Sequence, residues 1–460
     1  MAETLRKAAP VGVHRRRKPG TPGETLRFHA RRGHAAEAAR ARKANMSRVA
    51  VIGAGVTGLT TAYELLNRGF DVTVFDRNRY AAMETSFANG GQLSASNAEV
   101  WTQWGTVLKG IRWMLQADAP LLVNPAPTLH KMRWMAEFLS NIPNYRANTI
   151  ETVRLAIAAR AVLFEMADRE GIDFDLERRG ILHFYDRQKD LAHARRVNEL
   201  LREGGLDRRE VSVDEVRAIE PALQGDIIGG FVTESDSSGD IHKFTMGLSR
   251  ACARRGAELR FGADVERLAA RDGAVRVTAG GVTDVFDAVV VSAGIQSREF
   301  ARQLGDRVNI YPVKGYSVTV SLDDAESQAA APWISLLDDR AKIVASRFGA
   351  NRFRIAGTAE FNGANRDIRA DRIRPLTEWC ERHFPGVSTE NVTPWAGLRP
   401  MMPSMLPRVG RGKAPGVFYN TGHGHLGWTL SAATARIIAG SVADEKGQSI
   451  RLSGPVAKAA

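Results

Sequence analysis

Three glycines and an acid early in the chain have the residue types and the spacing of a phosphate-binding turn. Gly53, Gly55 and Gly58 lie between a short apolar run and a segment of helical periodicity, and Asp76 follows Gly58 by 18 positions. In such a turn the first glycine permits the tight bend, the second lets a pyrophosphate approach the backbone, and the third allows helix and strand to pack closely. The N–H groups of the helix N-terminus attract phosphate, and the acid accepts hydrogen bonds from a ribose. The spacing predicts a dinucleotide site; the alternative is a glycine-rich turn that holds no ligand.

A strand, a helix and a second strand must position these residues. The apolar residues 49–52 form the first strand, and residues 71–76 form the second. From this unit we predict cofactor contacts by Val51, Ile52, Gly53, Ala54, Gly55, Val56, Thr57, Gly58, Asp76 and Arg77. Residues 287–294 form a later buried strand that ends in Ala293 and Gly294. Such small residues permit a backbone approach to a ligand at the carboxyl end of a parallel strand.

The pattern of strands and helices indicates an α/β fold with two domains. A Rossmann-like nucleotide-binding domain is assembled from three chain segments, residues 47–135, 225–310 and 406–445. The intervening segments, 136–224 and 311–405, are predicted to form an inserted α+β substrate-binding domain with a mixed sheet. Residues 446–460 are predicted to be a C-terminal tail. The length of 460 residues, of which 44% are hydrophobic, is sufficient for two such cores.

The net charge of +13 is concentrated at the N-terminus. Residues 1–46 carry twelve Lys and Arg against three Glu, a net of +9, which leaves +4 (13 − 9) for the rest. This segment lacks apolar periodicity, so we predict a disordered basic extension. Met46 directly precedes the first strand, which favours a translation start at this residue. One alternative is a targeting role, because the segment is Arg-rich and acid-poor. The other alternative is adhesion to a surface. A nucleic-acid-binding protein would depend on this segment alone, and we predict no nucleic-acid partner.

Composition also bears on the compartment and on metal binding. The only cysteines, Cys252 and Cys380, are far apart and have no metal or redox spacing. This pattern predicts no metal site and fits a reducing cytosol. The chain has no run of eighteen apolar residues, so no transmembrane helix is expected. Residues 101–141 are rich in Trp and Met, a composition that is more typical of a core than of a ligand site; the alternative is a partner or membrane contact.

Several motifs together resemble those of a known family, the flavin-dependent D-amino acid dehydrogenases of the D-amino acid oxidase/glycine oxidase superfamily. The resemblance extends from residue 47 to about residue 445. Its motifs are the glycine turn at 53–58, Glu-Thr-Ser at 84–86 with Asn-Gly-Gly-Gln at 89–92, Tyr-Pro-Val-Lys-Gly-Tyr-Ser at 311–317, Gly-Leu-Arg-Pro at 397–400, and the glycine- and histidine-rich segment 421–429. The glycine turn alone would also suit a nicotinamide enzyme; the later motifs favour FAD. The first of the two domains is then an FAD-binding domain.

The resemblance assigns roles to individual residues. It implies that a polar loop wraps the flavin and that a backbone group of Val265 meets the adenine. It also implies that the C-terminal segment directs N–H donors and a helix dipole at the flavin, which becomes anionic when reduced. The residues so implied are Ser86, Asn89, Gly90, Gln92, Val265, Gly397, Gly424, Leu426, Gly427, Trp428 and Thr429. His423 and His425 are expected to shape this site rather than to act as bases.

For the substrate, the resemblance implies that Arg399 binds a carboxylate bidentately, as a planar guanidinium can. The alternative is a structural arginine paired with an internal acid. Tyr316 is a second candidate, through a hydrogen bond from its hydroxyl to the substrate. Further carboxylate partners could be Arg347, Arg352 or Arg354. Residues 400–407 are less polar than in the relatives, which leaves the preferred substrate side chain open.

The implied activity is oxidation of a D-amino acid to a 2-oxo acid and ammonia, by hydride transfer from Cα to N5 of the flavin. Electrons then pass to an acceptor, for which a membrane quinone is one candidate. The alternative is oxidation of a secondary amine such as D-hydroxyproline or sarcosine, or an oxidase that uses O2. FAD is expected to be non-covalent, because Asn89 and Gly90 stand where some relatives carry an attachment histidine. The implied location is the cytoplasm, with a peripheral contact at the inner face of the cell membrane as an added expectation. The alternative class is a basic nucleic-acid- or membrane-binding protein with a structural flavin domain.

Overall fold

The computed structural model describes residues 46–113 and 120–447. The predicted N-terminal extension lies outside the described residues apart from Met46, as does the predicted tail apart from residues 446 and 447. The β-strands are β1 Arg48–Ile52, β2 Asp71–Asp76, β3 Gln92–Leu93, β4 Leu121–Val123, β5 Ile181–Tyr185, β6 Arg209–Val211, β7 Gly229–Thr233, β8 Ser237–Ser238, β9 Glu258–Phe261, β10 Val265–Arg271, β11 Ala274–Ala279, β12 Val282–Phe286, β13 Ala288–Val291, β14 Tyr311–Ser321, β15 Ser335–Asp338, β16 Ile343–Phe348, β17 Arg352–Phe361, β18 Val392–Met401, β19 Arg408–Arg411 and β20 Val417–Thr421. The α-helices are α1 Val56–Asn67, α2 Trp104–Trp113, α3 Leu129–Ser140, α4 Tyr145–Glu170, α5 Gln188–Glu203, α6 Val213–Ile219, α7 Ile241–Arg254, α8 Ser297–Gln303, α9 Ala325–Ala330, α10 Ala370–His383 and α11 Gly427–Glu445.

The first sheet is mostly parallel and has the strand order β19-β20-β13-β1-β2-β9. Strand β1 lies at its centre, with β13 on one side and β2 on the other, both parallel to it. Its strands come from three separated parts of the chain, near residues 48–76, 258–291 and 408–421. The predicted Rossmann-like α/β fold is thereby confirmed.

The side chains of β1 alternate between the two faces of this sheet, and both faces are covered. Val49 and Val51 point to one face, where they join a core with residues of α1, α7 and α11. Ala50 and Ile52 point to the other face, where they pack with residues of the antiparallel β10-β11-β12 sheet and of α8. A parallel strand that is covered on both faces is apolar throughout, as the sequence of β1 is. The burial of both faces leaves the carboxyl edge of the sheet for a ligand.

The second sheet is larger and mixed, with the order β18-β14-β17-β16-β15-β5-β7-β6 and with β4 paired to β17. Most of its pairs are antiparallel, while β15–β5 and β17–β4 are parallel. Helix α10 covers one face of this sheet through Leu376, Trp379 and Cys380. Strands β14, β17 and β18 at one end hold the predicted substrate residues. The predicted mixed sheet is thus present.

The structure refines several predicted boundaries. Strands β4 and β7 lie within segments assigned to the nucleotide-binding domain, yet they pair with β17 and β5 of the second sheet. The domain division stays a proposal, with these two strands as its exceptions. Helix α7 begins at Ile241, because the carboxylate of Asp240 caps it by accepting from the backbone N–H groups of His242 and Lys243.

The Trp-rich region divides between core and surface. Trp134 of α3 is buried and donates from Nε1 to the carbonyl of Met401 at 2.9 Å. Trp104 of α2, in contrast, is 61% exposed. The core prediction therefore holds for only part of this region. In the ranges that the structure describes, no helix has both the length and the apolarity to cross a bilayer.

Candidate active site

A cavity of about 1280 Å³ runs from the carboxyl edge of the first sheet to the β14–β17–β18 end of the second. Its volume exceeds that of an ordinary small-molecule pocket, for which about 300–1,000 Å³ is typical. Among the predicted cofactor residues, Val51, Ala54 and Gly58 do not border it, and the others do. Both candidate substrate residues, Arg399 and Tyr316, also border it. The structure thus brings most of the predicted residues to one place.

The three glycines of the β1–α1 turn have distinct positions. Gly53 has φ +109°, and a Cβ there would lie 2.6 Å from the carbonyl oxygen of Ser292. A Cβ on Gly58 would overlap the carbonyl of Gly53, so this residue permits α1 to pack on the strand. Gly55, in contrast, borders the cavity, and a Cβ there would meet only the hydroxyl of Ser86, at 3.4 Å. Gly53 and Gly58 therefore serve the turn, while Gly55 keeps the cavity open beside the backbone.

Asp76 braces the same turn from the end of β2. One of its carboxylate oxygens accepts from the backbone N–H of Ala54 at 2.7 Å, and the other accepts from the backbone N–H of Asn78 at 2.8 Å. The second oxygen also accepts from the side-chain amide of Asn78 at 3.0 Å, whereas the first retains a lone pair, and the residue borders the cavity. The neighbouring Arg77 pairs with Glu84 at 2.5 Å. Asp76 is therefore placed to meet a ribose while it also holds the turn.

The polar loop of residues 86–92 forms another wall of the cavity. Ser86 accepts at its hydroxyl from the backbone N–H of Val56, at 3.0 Å, and so holds the loop against the start of α1. Asn89 accepts from the backbone N–H of Gly91 at 3.0 Å. The amide nitrogen of Gln92 donates to the carbonyl of Leu336, also at 3.0 Å. The amide oxygen of Gln92 is buried and has no hydrogen-bond partner among the described residues.

The C-terminal segment closes the cavity with a helix N-terminus. A 3-10 turn at Gly424–Leu426 leads into α11, which begins at Gly427. The backbone near Trp428 borders the cavity, while its ring lies in the core near Phe174. Thr429 links the helix to the polar loop by donating to the carbonyl of Gln92 at 3.4 Å.

This arrangement fits a dinucleotide cofactor. Gly55 leaves space beside the turn, and the N-termini of α1 and α11 both reach the cavity. Buried polar atoms are normally paired, yet the amide oxygen of Gln92 and the hydroxyl of Ser292 are buried without a partner in the described part of the chain. Both residues border the cavity. A ligand with many hydrogen-bonding groups would satisfy them.

Arg399 lies on β18 with its guanidinium in the second half of the cavity. The side chain crosses Gly315 of the paired strand β14, where a Cβ would overlap the guanidinium. Its Nη1 donates to the carbonyl of Thr358 at 2.9 Å, and most of its five donors have no partner within the described part of the chain. Burial lowers the pKa of Arg399 to about 10, with no acid contributing to the shift, so the group is charged at neutral pH. A partly desolvated cation that has no counter-ion among the described residues is costly, and an anionic ligand would relieve that cost.

The geometry corrects the predicted role of Tyr316. Successive side chains of a strand point to opposite faces, so Tyr316 faces away from the side on which Gly315 receives Arg399. Its hydroxyl donates to Glu360 at 2.7 Å, and its ring packs in the core beneath α10. Burial and this hydrogen bond raise the pKa of Tyr316 above its usual range. The hydroxyl therefore already has a partner on the wrong face for a substrate held by Arg399.

The other candidate arginines have partners of their own. Arg347 donates to backbone carbonyls, including that of Ala331 at 3.1 Å. Arg352 pairs with Asp175 at 2.5 Å and with Asp240 at 2.7 Å. Arg354 donates to the hydroxyl of Thr319 at 3.0 Å. None of the three arginines borders the cavity.

Two features beside Arg399 could not be predicted from the sequence. Thr358 has φ +59°, which is unusual for a β-branched residue, and it lies where the β14–β17 register shifts between Lys314 and Tyr316. This bulge turns its carbonyl to Arg399. Trp101, from the Trp-rich region, stacks on His425 with ring centroids 4.8 Å apart. The contact joins opposite ends of the chain, and nothing in the local sequence of either residue indicates it.

The sequence from residue 48 to residue 440 matches the model of the FAD-dependent oxidoreductase family. The chain belongs to this family, it is an oxidoreductase, and its cofactor is FAD. Among similar proteins, D-amino acid dehydrogenase 3 of Mesorhizobium japonicum is 63% identical over 403 residues, which cover 87% of this chain and 98% of that protein. D-amino acid dehydrogenase of Paramagnetospirillum magneticum is 41% identical over 404 residues, which cover 85% of this chain and 94% of that protein.

Solved structures share the fold at low sequence identity. Glycine oxidase from Bacillus cereus has a TM-score of 0.68 and 20% identity, and the match covers 88% of this chain and 96% of that chain. L-proline dehydrogenase from P. horikoshii also has a TM-score of 0.68, with 15% identity and coverage of 88% and 94%. At these identities the comparison concerns the fold alone, and it agrees with an FAD-binding domain beside a substrate domain.

Proposed function

We propose that this protein is an FAD-dependent D-amino acid dehydrogenase that converts D-amino acids to 2-oxo acids and ammonia. The observation that carries the proposal is the partly buried guanidinium of Arg399, which forms no ion pair with the described residues and lies in the same cavity as the cofactor residues. The D-amino acid dehydrogenases that are 63% and 41% identical over most of their length support the substrate class. A nicotinamide-dependent enzyme is excluded by the family.

In the proposed mechanism, Arg399 grips the substrate carboxylate. The carbonyl of Thr358 holds one edge of the guanidinium, and Gly315 leaves the space in which it lies. Binding of the carboxylate orients Cα for the reaction, and orientation of this kind accounts for much of an enzyme's rate acceleration. FAD, when bound, supplies the acceptor for the hydride.

The proposed substrate reacts as the neutral amine, because nitrogen then assists the departure of hydride from Cα. The amine also loses a proton, and the resulting imine takes up water to give the 2-oxo acid and ammonia. Activity should therefore rise with pH towards the pKa of the amine. The second candidate substrate is a secondary amine such as D-hydroxyproline or sarcosine. We retain this substrate because residues 400–407, which follow Arg399, are weakly polar. The second candidate activity is that of an oxidase that uses O2.

We propose that FAD is bound without a covalent link, through Gly53, Gly55, Asp76, Ser86 and the other predicted residues that border the cavity. Both cysteines support this, because Cys252 and Cys380 are buried in the core and neither borders the cavity. Burial raises the pKa of each thiol to about 12, which makes the reactive thiolate scarce.

We further propose that the enzyme is cytoplasmic and passes its electrons to a membrane quinone through a peripheral membrane contact. An apolar stripe on α3, formed by Leu129, Met132 and Leu139, supports the contact, with exposed fractions of 67%, 57% and 41%. Trp104 and Leu108 of α2 are also exposed, and Lys109 of α2 borders the cavity. Amphipathic surfaces with aromatic and basic residues bind membrane interfaces.

The membrane contact is tested by flotation with anionic vesicles. The wild-type protein should float with the vesicles, and the variant in which Leu129, Met132 and Leu139 are replaced by Ser should not. Equal flotation of the wild type and the variant would contradict the proposal.

The experiment that tests the activity is anaerobic bleaching of the flavin in the purified holoenzyme. The panel contains D- and L-amino acids, D-hydroxyproline, sarcosine and glycine. Loss of the yellow band with D-amino acids alone is the expected result. Bleaching by a secondary amine alone would favour the second candidate substrate. No bleaching by any of them would overturn the substrate class while leaving the cofactor in place.

A further inference from the structure

His425 lies in the turn that faces Arg399 but has no role in the proposal above. It belongs to the 3-10 turn Gly424–Leu426, which lies against β18: His423 forms an isolated β-bridge with Met401, and a Cβ on Gly424 would come within 2.7 Å of the Met401 sulfur. Arg399 is two residues before Met401 and so points to the same side of the strand. Both Arg399 and His425 border the cavity.

The imidazole of His425 has unsatisfied hydrogen-bonding capacity. Both of its nitrogens are buried, and neither has a hydrogen-bond partner that meets normal geometry among the described residues. A backbone group of Asn97 lies close enough to the ring to act against the lowering of its pKa. Trp101 stacks on the ring at 4.8 Å with an interplanar angle of 19°, which fixes its orientation. Since unpaired buried polar atoms are rare in native proteins, this ring needs a ligand.

The charge state of His425 suits a hydrogen-bond acceptor. Burial, together with the nearby charge of Arg399, lowers the pKa of His425 to about 4, and Lys342 acts in the same direction. The imidazole is therefore neutral under working conditions, and a neutral imidazole has one acceptor nitrogen and one donor nitrogen. His423, in the same turn, differs because its Nε2 is hydrogen-bonded to the hydroxyl of Thr434 at 2.9 Å. Of the two histidines in this turn, His425 is the one whose two ring nitrogens lack a partner among the described residues.

We propose that His425 accepts a hydrogen bond from the amino group of the substrate whose carboxylate Arg399 holds. The inference rests on the proposed function and deepens it, because it assigns the second anchor on Cα. Two anchors on one carbon, together with the direction in which the hydrogen must leave, distinguish one enantiomer from the other. Trp101 is then a positioning residue, because its ring stacks on the imidazole.

The test uses a pair of carboxylates that differ only in the amino group and cannot be oxidised. α-Aminoisobutyrate has no hydrogen on Cα, and pivalate replaces its amino group by a methyl group. Dissociation constants for both are measured by calorimetry on the holoenzyme, for the wild type, His425→Phe, His425→Gln and Arg399→Met. Flavin content and circular dichroism confirm that each variant is folded. Calorimetry measures binding directly and does not depend on turnover.

We expect His425→Phe to weaken α-aminoisobutyrate on the order of tenfold, the equivalent of one lost hydrogen bond, and to change pivalate less than about twofold. Gln retains an acceptor and should restore part of the affinity. Arg399→Met should weaken both ligands. Equal weakening of both ligands in His425→Phe, or no change in either, would overturn the inference alone. Wild-type enzyme that binds neither ligand would overturn the proposed function as well.

Discussion

At the residue scale, Arg399 carries the proposed substrate recognition. Arg399→Met should weaken the binding of D-amino acids by about 2–5 kcal/mol, the range for truncating one partner of a buried charge pair, with flavin still bound. The measurement is the substrate dependence of anaerobic bleaching. Arg347→Met is a matched control, because Arg347 is a buried arginine that donates to backbone carbonyls outside the cavity. Near-normal binding in Arg399→Met would remove this residue from the site.

Tyr316 gives the opposite expectation at the same scale. Tyr316→Phe should leave substrate affinity unchanged, because the hydroxyl is bonded to Glu360 on the other face of the sheet. It should lower the free energy of unfolding by about 1.5–3 kcal/mol, the usual contribution of a hydrogen bond to a charged group. Urea unfolding and substrate titration measure the two effects separately. A large loss of substrate affinity in a stable variant would restore Tyr316 to the site.

At the element scale, the β1–α1 turn can be tested at the glycine that faces the cavity. Gly55→Val should abolish FAD binding, because its branched side chain would project where a pyrophosphate approaches the backbone. The protein itself has room for a Cβ at this position, which would meet the hydroxyl of Ser86 at an ordinary contact distance of 3.4 Å. Folded protein without flavin is the expected result in absorbance and circular dichroism. Gly55→Ala provides a smaller step and should bind FAD more weakly than the wild type but better than Gly55→Val; a yellow Gly55→Val protein would discredit the phosphate-binding turn.

The elements also explain why the cofactor part of this site could be predicted from the sequence. The glycine turn and Asp76 depend on local spacing within one strand–helix–strand unit, so the fingerprint and the fold class followed from the residues. The face on which Tyr316 lies depends on how β14 pairs with β18. The orientation of the Thr358 carbonyl depends on a bulge in β17. Such long-range pairings leave no local mark, and for the same reason the pairing of β4 and β7 with the second sheet was missed.

At the scale of the whole molecule, buried histidines couple folding to pH. Burial lowers the pKa of His423 to about 3 and contributes most to lowering that of His425 to about 4, whereas an unfolded histidine has a pKa near 6.5. Above about pH 6.5 neither state binds the proton, and the stability is fully present. As the pH falls below 6.5 towards 4, only the unfolded chain binds protons at these positions, so each histidine reduces the free energy of unfolding by ~1.4 kcal/mol per pH unit.

His423→Gln isolates this contribution, because glutamine does not titrate and can still reach the hydroxyl of Thr434. Urea unfolding of wild type and variant is followed between about pH 4.5 and 8 at saturating FAD. The difference between the two free energies of unfolding should change by about 1.4 kcal/mol per pH unit below 6 and be constant above 7. Carboxylates with lowered pKa, such as Glu84 and Glu170, also lose their stabilising effect in acid, but they are common to both proteins and cancel. Parallel curves would mean that the imidazole of His423 takes up its proton in the folded protein, and the turn beside Arg399 would then be more open to water than its burial indicates.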